Sequence, residues 1–289
     1  MADDKREDRK RAGGYGEGDV APSMSVADVA REAEELGPGV TSADILALAG
    51  ADPVLELRGL HAGYGAMDIL HGVDLAIGRG RSLCLVGPNG AGKSTVLHSI
   101  FGFTKIKAGK IISLGRDVTH LTSSAKLKDA RIAYILQDNS IFPDMTVEEN
   151  LLMGGYLLAD RGKAKEATEH IFARYDRLAK RRRERAGILS GGERRLLEIS
   201  RALIMDPQVL LVDEPSIGLE PRMIDMVFEI LADLRDAQGK TIIMVEQNAR
   251  RGLEFADIGY VMVAGRVALA ARGADLLSDP QVGRLFLGG

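Results

Sequence analysis

Hydrophobic and polar positions along the 289-residue chain fall into three regimes. Residues 1–20, MADDKREDRKRAGGYGEGDV, carry charges of both signs and almost no apolar side chains, too little to offset the entropy of ordering, and predict disorder. The stretch that follows has helix-start signals at Ser25 and Ser42 and a stop at Gly37, which predict two short amphipathic helices in a loosely ordered extension. From Val54 the pattern shortens to β-rich runs, VLELRGLHAGYG and ILHGVDLAIGRG, bounded by glycines, and predicts an antiparallel layer. SLCLVG, RIAYILQ, VLLVDEP and TIIMVEQ are near-continuous apolar runs, as strands buried on both faces should be. Helical periods separate them, so the expected fold class is α/β, a mostly parallel sheet with helices on its faces. Between residues 139 and 206 the strands give way to helix-period segments, MTVEENLLMGGYLLA and AKEATEHIFARYDRLAKRRRERA, which predict a helical subdomain. IGYVMVAGRVALAARG reads as a hairpin turning at Ala264-Gly265, with a terminal helix around LLSDPQVGRLFLG. The organisation expected is an extension over residues 1–53 and one domain over residues 54–289.

Composition narrows the class of partner. At 45% hydrophobic residues the chain is globular, and a net charge of -3 supplies no global basic field. No RNA-binding or zinc-finger pattern is present, so nucleic acid is not an expected partner. The single cysteine, Cys84, lies inside an apolar run, which excludes an internal disulfide and reads as a small buried hydrophobe in a reducing compartment. No apolar stretch approaches the roughly twenty residues that cross a bilayer, and the charged N-terminus lacks a signal-peptide core. These features predict a cytosolic chain and leave open whether it docks on a membrane protein.

The chemistry starts after SLCLV. Gly87-Pro88-Asn89-Gly90-Ala91-Gly92-Lys93-Ser94-Thr95 matches the phosphate-loop pattern in its strand-loop-helix context. Glycines at 87, 90 and 92 let phosphate oxygens approach backbone amides, and the helix opening at Lys93 adds unpaired N–H groups and a positive dipole end. Lys93 is expected to reach the β and γ phosphates, Ser94 to ligate Mg²⁺ and Thr95 to hold the α phosphate. Asp213 and Glu214 follow a fully apolar strand at the carboxyl edge of the sheet, Asp213 toward the metal and Glu214 as general base for the attacking water. Gln137, at the analogous edge, offers a carbonyl to Mg²⁺ and an amide to water. Tyr64, in HAGYG, is a candidate to stack on a purine.

A second Ser-Gly-Gly precedes a helical period in ILSGGERRLLEISRALI, although the chain already has a phosphate loop. HAGYG, GPNGAGKST, ILQD, LSGGE, LLVDEP, SIGLEP and MVEQN, in that order, resemble the motifs of the ABC-type ATPases over residues 54–289. The resemblance implies a P-loop NTPase fold, ATP and Mg²⁺ as ligands, and ATP hydrolysis. It also makes LSGGE the signature motif: Ser190, Gly191, Gly192 and Glu193 then form a second anion cradle, aimed at the γ phosphate on the phosphate loop of an opposing subunit. The partners implied are a second ATPase subunit in a head-to-tail dimer, transmembrane permease subunits and, indirectly, a periplasmic substrate-binding protein. The place implied is the cytoplasmic face of the cell membrane. IFPDMTVEENLLMG, RAGILSGGERRLLEISRALIMDP, DEPSIGLEP, VEQNA and the closing FLGG are similar to ATP-binding subunits of branched-chain amino acid importers. Urea and amide importers use close relatives, and the sequence is also compatible with a soluble ABC ATPase such as an iron-sulfur assembly factor or with a regulatory nucleotide binder.

Two positions depart from the family pattern. Gln247 stands where most members carry histidine, which implies a γ-phosphate contact without a titrating proton and slower turnover. Glu220 replaces an aspartate of the loop that crosses the dimer interface, which implies looser coupling between sites. The segment from Gln137 to Leu152 is expected to receive a permease helix through Ile141, Phe142, Met145 and Val147. The basic run Lys180 to Arg185, with Glu184 interleaved, is expected to be a solvated helix face.

Overall fold

The computed structural model describes residues 40–50, 52–137 and 140–286. The disorder expected of residues 1–20, the helix expected from Ser25 and the last three residues of FLGG lie outside them.

Alternation along the strands builds two layers. β1 (Pro53–Tyr64) and β2 (Met67–Gly78) pair antiparallel, and β4 (Lys105–Ser113) with the short β5 (Arg116–Asp117) extends them into a four-stranded sheet ordered β2-β1-β4-β5. The second sheet has six strands in the order β10-β9-β3-β8-β7-β6. In it β3 (Ser82–Val86), β6 (Ile132–Ile135), β7 (Val209–Asp213), β8 (Thr241–Val245) and β9 (Ile258–Val263) run parallel. β10 (Arg266–Arg272) folds back antiparallel on β9 through Ala264 and Gly265, both at positive φ as a tight hairpin turn requires.

The continuous apolar runs are explained by burial on both faces. Leu83, Leu85, Leu211 and Ile243 face the four-stranded sheet, where they join Leu55, Leu57, Leu60 and Leu70 in one core. Their neighbours Cys84, Val86, Leu210, Val212 and Met244 face the other way, onto α8 (Pro221–Asp236) and α9 (Ala249–Phe255). Cys84 is fully buried, and burial pushes its thiol far above the usual cysteine range. Parallel strands with this order bring the carboxyl ends of β3, β6, β7 and β8 to one edge.

The helices between residues 139 and 206 form a third cluster. α4 (Val147–Gly154), α5 (Arg161–Arg174), α6 (Asp176–Lys180) and α7 (Gly191–Leu203) enclose Val147, Leu151, Phe172, Leu178, Leu196 and Leu197. Buried Asn150 fixes the loop before α4: its Oδ1 accepts from Phe142 N at 2.8 Å, and its Nδ2 donates to the carbonyls of Phe142 and Thr146 at 2.9 Å each. The basic run is not the solvated helix face expected: α6 ends at Lys180, and Arg181 to Arg185 form a turn held by ion pairs. Arg181 pairs with Glu184 and Glu193, each at 2.7 Å, and Arg182 joins Glu148 on α4 to Glu169 on α5 at 2.6 and 2.5 Å.

Other readings need correction. α1 (Ser42–Ala49) is capped one residue before the expected start signal: Thr41, not Ser42, is the N-cap, in a capping box with Asp44. Ile45 and Ala49 enter the core between the sheets, so the boundary drawn at residue 53 falls after a packed helix. The single terminal helix is two, α10 (Gly273–Ser278) and α11 (Pro280–Phe286), because Pro280 lacks the N–H that would carry α10 onward and starts a new helix instead. Among the described residues no helix is long and apolar enough to cross a membrane.

Candidate functional site

The phosphate loop connects β3 to α2 (Lys93–Phe101). Gly87, Gly90 and Gly92 have φ of 143°, 80° and 96°, and a Cβ on Gly87 would lie 2.1 Å from the Met262 carbonyl oxygen. Only glycine fits there without backbone movement. Lys93 Nζ donates to the carbonyls of Gly87 and Pro88 at 2.8 and 2.9 Å, folding the side chain back over its own loop. Burial holds its ammonium below the usual lysine range, and nearby Glu214 and Asp213 offset part of that. The loop borders a cavity of about 240 Å³ whose walls include Asn89, Gly90, Lys93, Ser94, Thr95 and Glu214.

β7 delivers the acids to the same place. Asp213 is 4% exposed and receives two hydroxyls: Ser94 Oγ at 3.1 Å on Oδ1 and Tyr134 Oη at 2.7 Å on Oδ2. Burial and the adjacent Asp213 raise the Tyr134 phenol, which keeps its proton and remains a donor. Glu214 follows at φ 43°, a left-handed conformation unusual for a side chain of its length, and its N–H donates to Val245 O at 2.9 Å. Gln137, two residues past β6, donates Nε2 to Glu214 Oε2 at 2.8 Å. Ser94, Asp213 and the Gln137 carbonyl make an all-oxygen donor set, which fits the hard Mg²⁺ ion. Among the described residues no group of three His, Cys, Asp or Glu side chains could hold a softer metal.

The second cradle is elsewhere. Ser190 is the N-cap of α7, in a capping box with Glu193: Ser190 N and Oγ reach Glu193 Oε2 at 2.9 and 2.8 Å, and Glu193 N returns to Ser190 Oγ at 3.4 Å. Arg181 steadies the Glu193 carboxylate through Oε1. The N–H groups of Gly191 and Gly192 lie in the first turn, where a helix offers no acceptor. A Cβ on Gly192 would meet Met223 Sδ at 2.1 Å, so this glycine also permits close packing on α8. Gly191 borders a separate cavity of about 230 Å³, shared with Gln137, Arg194, Arg195 and Pro215 and with none of the phosphate-loop residues.

Two predicted residues stand apart. Tyr64 ends β1 and does not line the phosphate-loop cavity; its hydroxyl bonds His98 Nδ1 on α2, and its ring stays 43% exposed. Gln247, just beyond β8, is exposed. Of the four docking candidates, Phe142 is 44% exposed and lines a cavity of about 340 Å³ with Phe101, Tyr134, Met153, Tyr156 and Arg201. Val147 is instead wholly in the helical core, and Ile141 packs against it; Met145 is half-buried and outside the groove. Sequence reasoning missed Tyr134 and Arg195. For Arg195 a signal existed, a charged pair at i, i+3 inside the apolar face of α7.

The sequence pattern of the ABC transporter family matches residues 70–217. The chain is 40% identical over 226 residues to a high-affinity branched-chain amino acid transport ATP-binding protein, BraG, of Pseudomonas aeruginosa, covering 78% of this chain and 96% of that one. It is 37% identical over 229 residues to a probable branched-chain amino acid transport ATP-binding protein, LivF, of Archaeoglobus fulgidus, covering 79% and 96%. The crystal structure of MJ1267, an ATP-binding cassette of an ABC transporter, superposes with a TM-score of 0.72 at 29% identity, covering 81% of this chain and 99% of that one.

Proposed function

This chain belongs to the ABC transporter family of ATP-hydrolysing subunits, and from that premise we propose that it powers an importer of branched-chain or related amino acids. Amino acid cargo is supported by the names of the two relatives, each matched over nearly its whole length. The observation that carries the mechanism is that one chain has the phosphate loop and Glu214 on one cavity and Gly191, of the Ser190–Glu193 cradle, on another. A cradle that shares no wall with its own phosphate loop is suited to ATP held by a second subunit.

In this mechanism the backbone N–H groups of the loop from Asn89 to Thr95 and the Lys93 ammonium bind the phosphates. Ser94, Asp213 and Gln137 would hold Mg²⁺, which when bound neutralises phosphate charge. Glu214 takes a proton from the attacking water, Gln137 orients that water, and Gln247 donates its amide to the γ phosphate. The opposing subunit's cradle grips the same phosphate, so its loss after hydrolysis loosens the pair. The exposed apolar groove around Phe142 and Tyr156 receives a permease segment, which holds the chain at the cytoplasmic face of the membrane.

The test is recovery of partners from solubilised membranes, with uptake measured in a strain lacking the chain. We expect hydrophobic permease subunits to co-purify, and leucine, isoleucine or valine uptake to fall. Loss of urea or amide uptake alone would reject the cargo, and recovery of only soluble assembly factors would reject the transporter role.

A further inference from the structure

Arg195 and Glu198 lie one helical turn apart on α7 and form an ion pair at 2.8 Å, with side chains only 5% and 6% exposed. Two charges withdrawn from water this far need a reason beyond stability, because a well-packed apolar pair of similar volume usually does as well or better. The guanidinium's other contacts supply one. Arg195 Nη1 also donates to Leu136 O at 2.8 Å, and Nη2 reaches Asp213 O at 3.3 Å. Leu136 immediately precedes Gln137, and the Asp213 carbonyl belongs to the peptide that leads into Glu214. One planar fork thus holds the backbone of both residues that meet at 2.8 Å in the catalytic contact.

The Asp213–Glu214 peptide needs such support. Glu214 sits at φ 43°, a conformation that persists only where its surroundings over-determine it. Val245 O holds the N–H side of that peptide, and Arg195 holds the carbonyl side. Glu198 also borders both the apolar groove and the cavity beside Gly191. A shift of α7, whether it starts at the cradle or in the groove, therefore moves the fork.

We infer that Arg195, oriented by Glu198, is a positioning residue that sets the Gln137–Glu214 geometry and ties it to the placement of α7. The inference rests on Glu214 acting as the base, as proposed above. Lysine keeps the charge pair but offers a single nitrogen that cannot span the three acceptors.

The experiment compares the full-length chain with Arg195→Lys, with the paired apolar variant Arg195→Met/Glu198→Leu, and with Glu214→Gln. Thermal midpoint, kcat and KM for MgATP, and hydrogen exchange of the peptide spanning residues 211–217 are measured. For Arg195→Lys we expect kcat to fall roughly tenfold or more with KM held within about threefold, because misplacing a base costs rate more than binding. The paired variant should regain the parent's thermal midpoint without regaining kcat, and exchange across residues 211–217 should quicken in both. Recovery of kcat together with the midpoint, a Lys variant as fast as the parent, or unchanged exchange would each overturn the inference. If Glu214→Gln leaves turnover intact, the assignment of the base fails instead, and the exchange comparison still decides what Arg195 does.

Discussion

Glu214 is where backbone strain and chemistry coincide: a left-handed carboxylate at the carboxyl end of β7, touching Gln137 and bordering the phosphate loop. Glu214→Gln keeps the side-chain shape and removes the carboxylate proposed as the general base. Hydrolysis should fall by roughly 10² to 10⁴ fold, the range for losing a general base, while ATP binding persists. Phosphate release measured beside titration with a fluorescent ATP analogue checks both halves, and unchanged turnover would reject the assignment. The phosphate loop, the two acids and Gln137 were legible because each sits at a strand end in a short contiguous pattern. Tyr134 and Arg195 were not, since what they touch lies far along the chain. Tyr134 meets Asp213 across 79 positions, and Arg195 meets Leu136 across 59. Nothing local to an aromatic strand residue announces such a contact, and the i, i+3 pair of Arg195 with Glu198 marks a buried charge without saying which distant carbonyls it meets.

Between elements, the phosphate-binding helix has a cation at each end. At its far end Lys126, on α3 (Ser123–Lys128), is wholly buried and donates Nζ to Ser99 O at 3.2 Å, in the last turn of α2. Burial lowers the Lys126 ammonium to about 8 from 10.5. Between those values the unfolded chain binds more protons than the folded one, so this group's contribution to stability rises with pH across that window and the charged form is penalised below it. From pH 7 to pH 10 the parent should therefore gain on the order of 2 kcal/mol over Lys126→Met, read from denaturant unfolding of both proteins at both pH values. A difference that stays constant would show that Lys126 keeps an ordinary affinity for its proton. The buried strands were legible because apolar runs admit one explanation in this setting. β4 was not: KIKAGKIIS is largely exposed, and it is a strand because Leu55 and Leu57 of β1 pair with its Ser113 and Ile111. Pairing partners are a tertiary fact, which local hydropathy cannot carry.

At the scale of the whole molecule, separation of the two cradles turns a question of fold into one of assembly. If the Ser190 cradle served its own phosphate loop, lesions in the two would act within one chain, and mixing two defective chains would restore nothing. If it serves an opposing subunit, the lesions complement. A Ser190→Arg chain keeps a sound phosphate loop and lacks a usable cradle, since a long cation fills the anion's place. A Lys93→Ala chain keeps its cradle and loses its phosphate grip. Each alone should be nearly inert in hydrolysis, with Ser190→Arg still binding ATP at parental affinity. Mixed, they build one intact site, from the loop of the first and the cradle of the second, beside one doubly broken site. We expect measurable MgATP hydrolysis to return in the mixture, rising with the concentration of whichever chain is limiting. Pairing with a sister ATP-binding subunit changes which chain must carry the second lesion but not the logic. A mixture as inert as its components, together with loss of ATP binding by Ser190→Arg alone, would put the cradle back in its own chain's site and remove the basis for a nucleotide-bridged dimer.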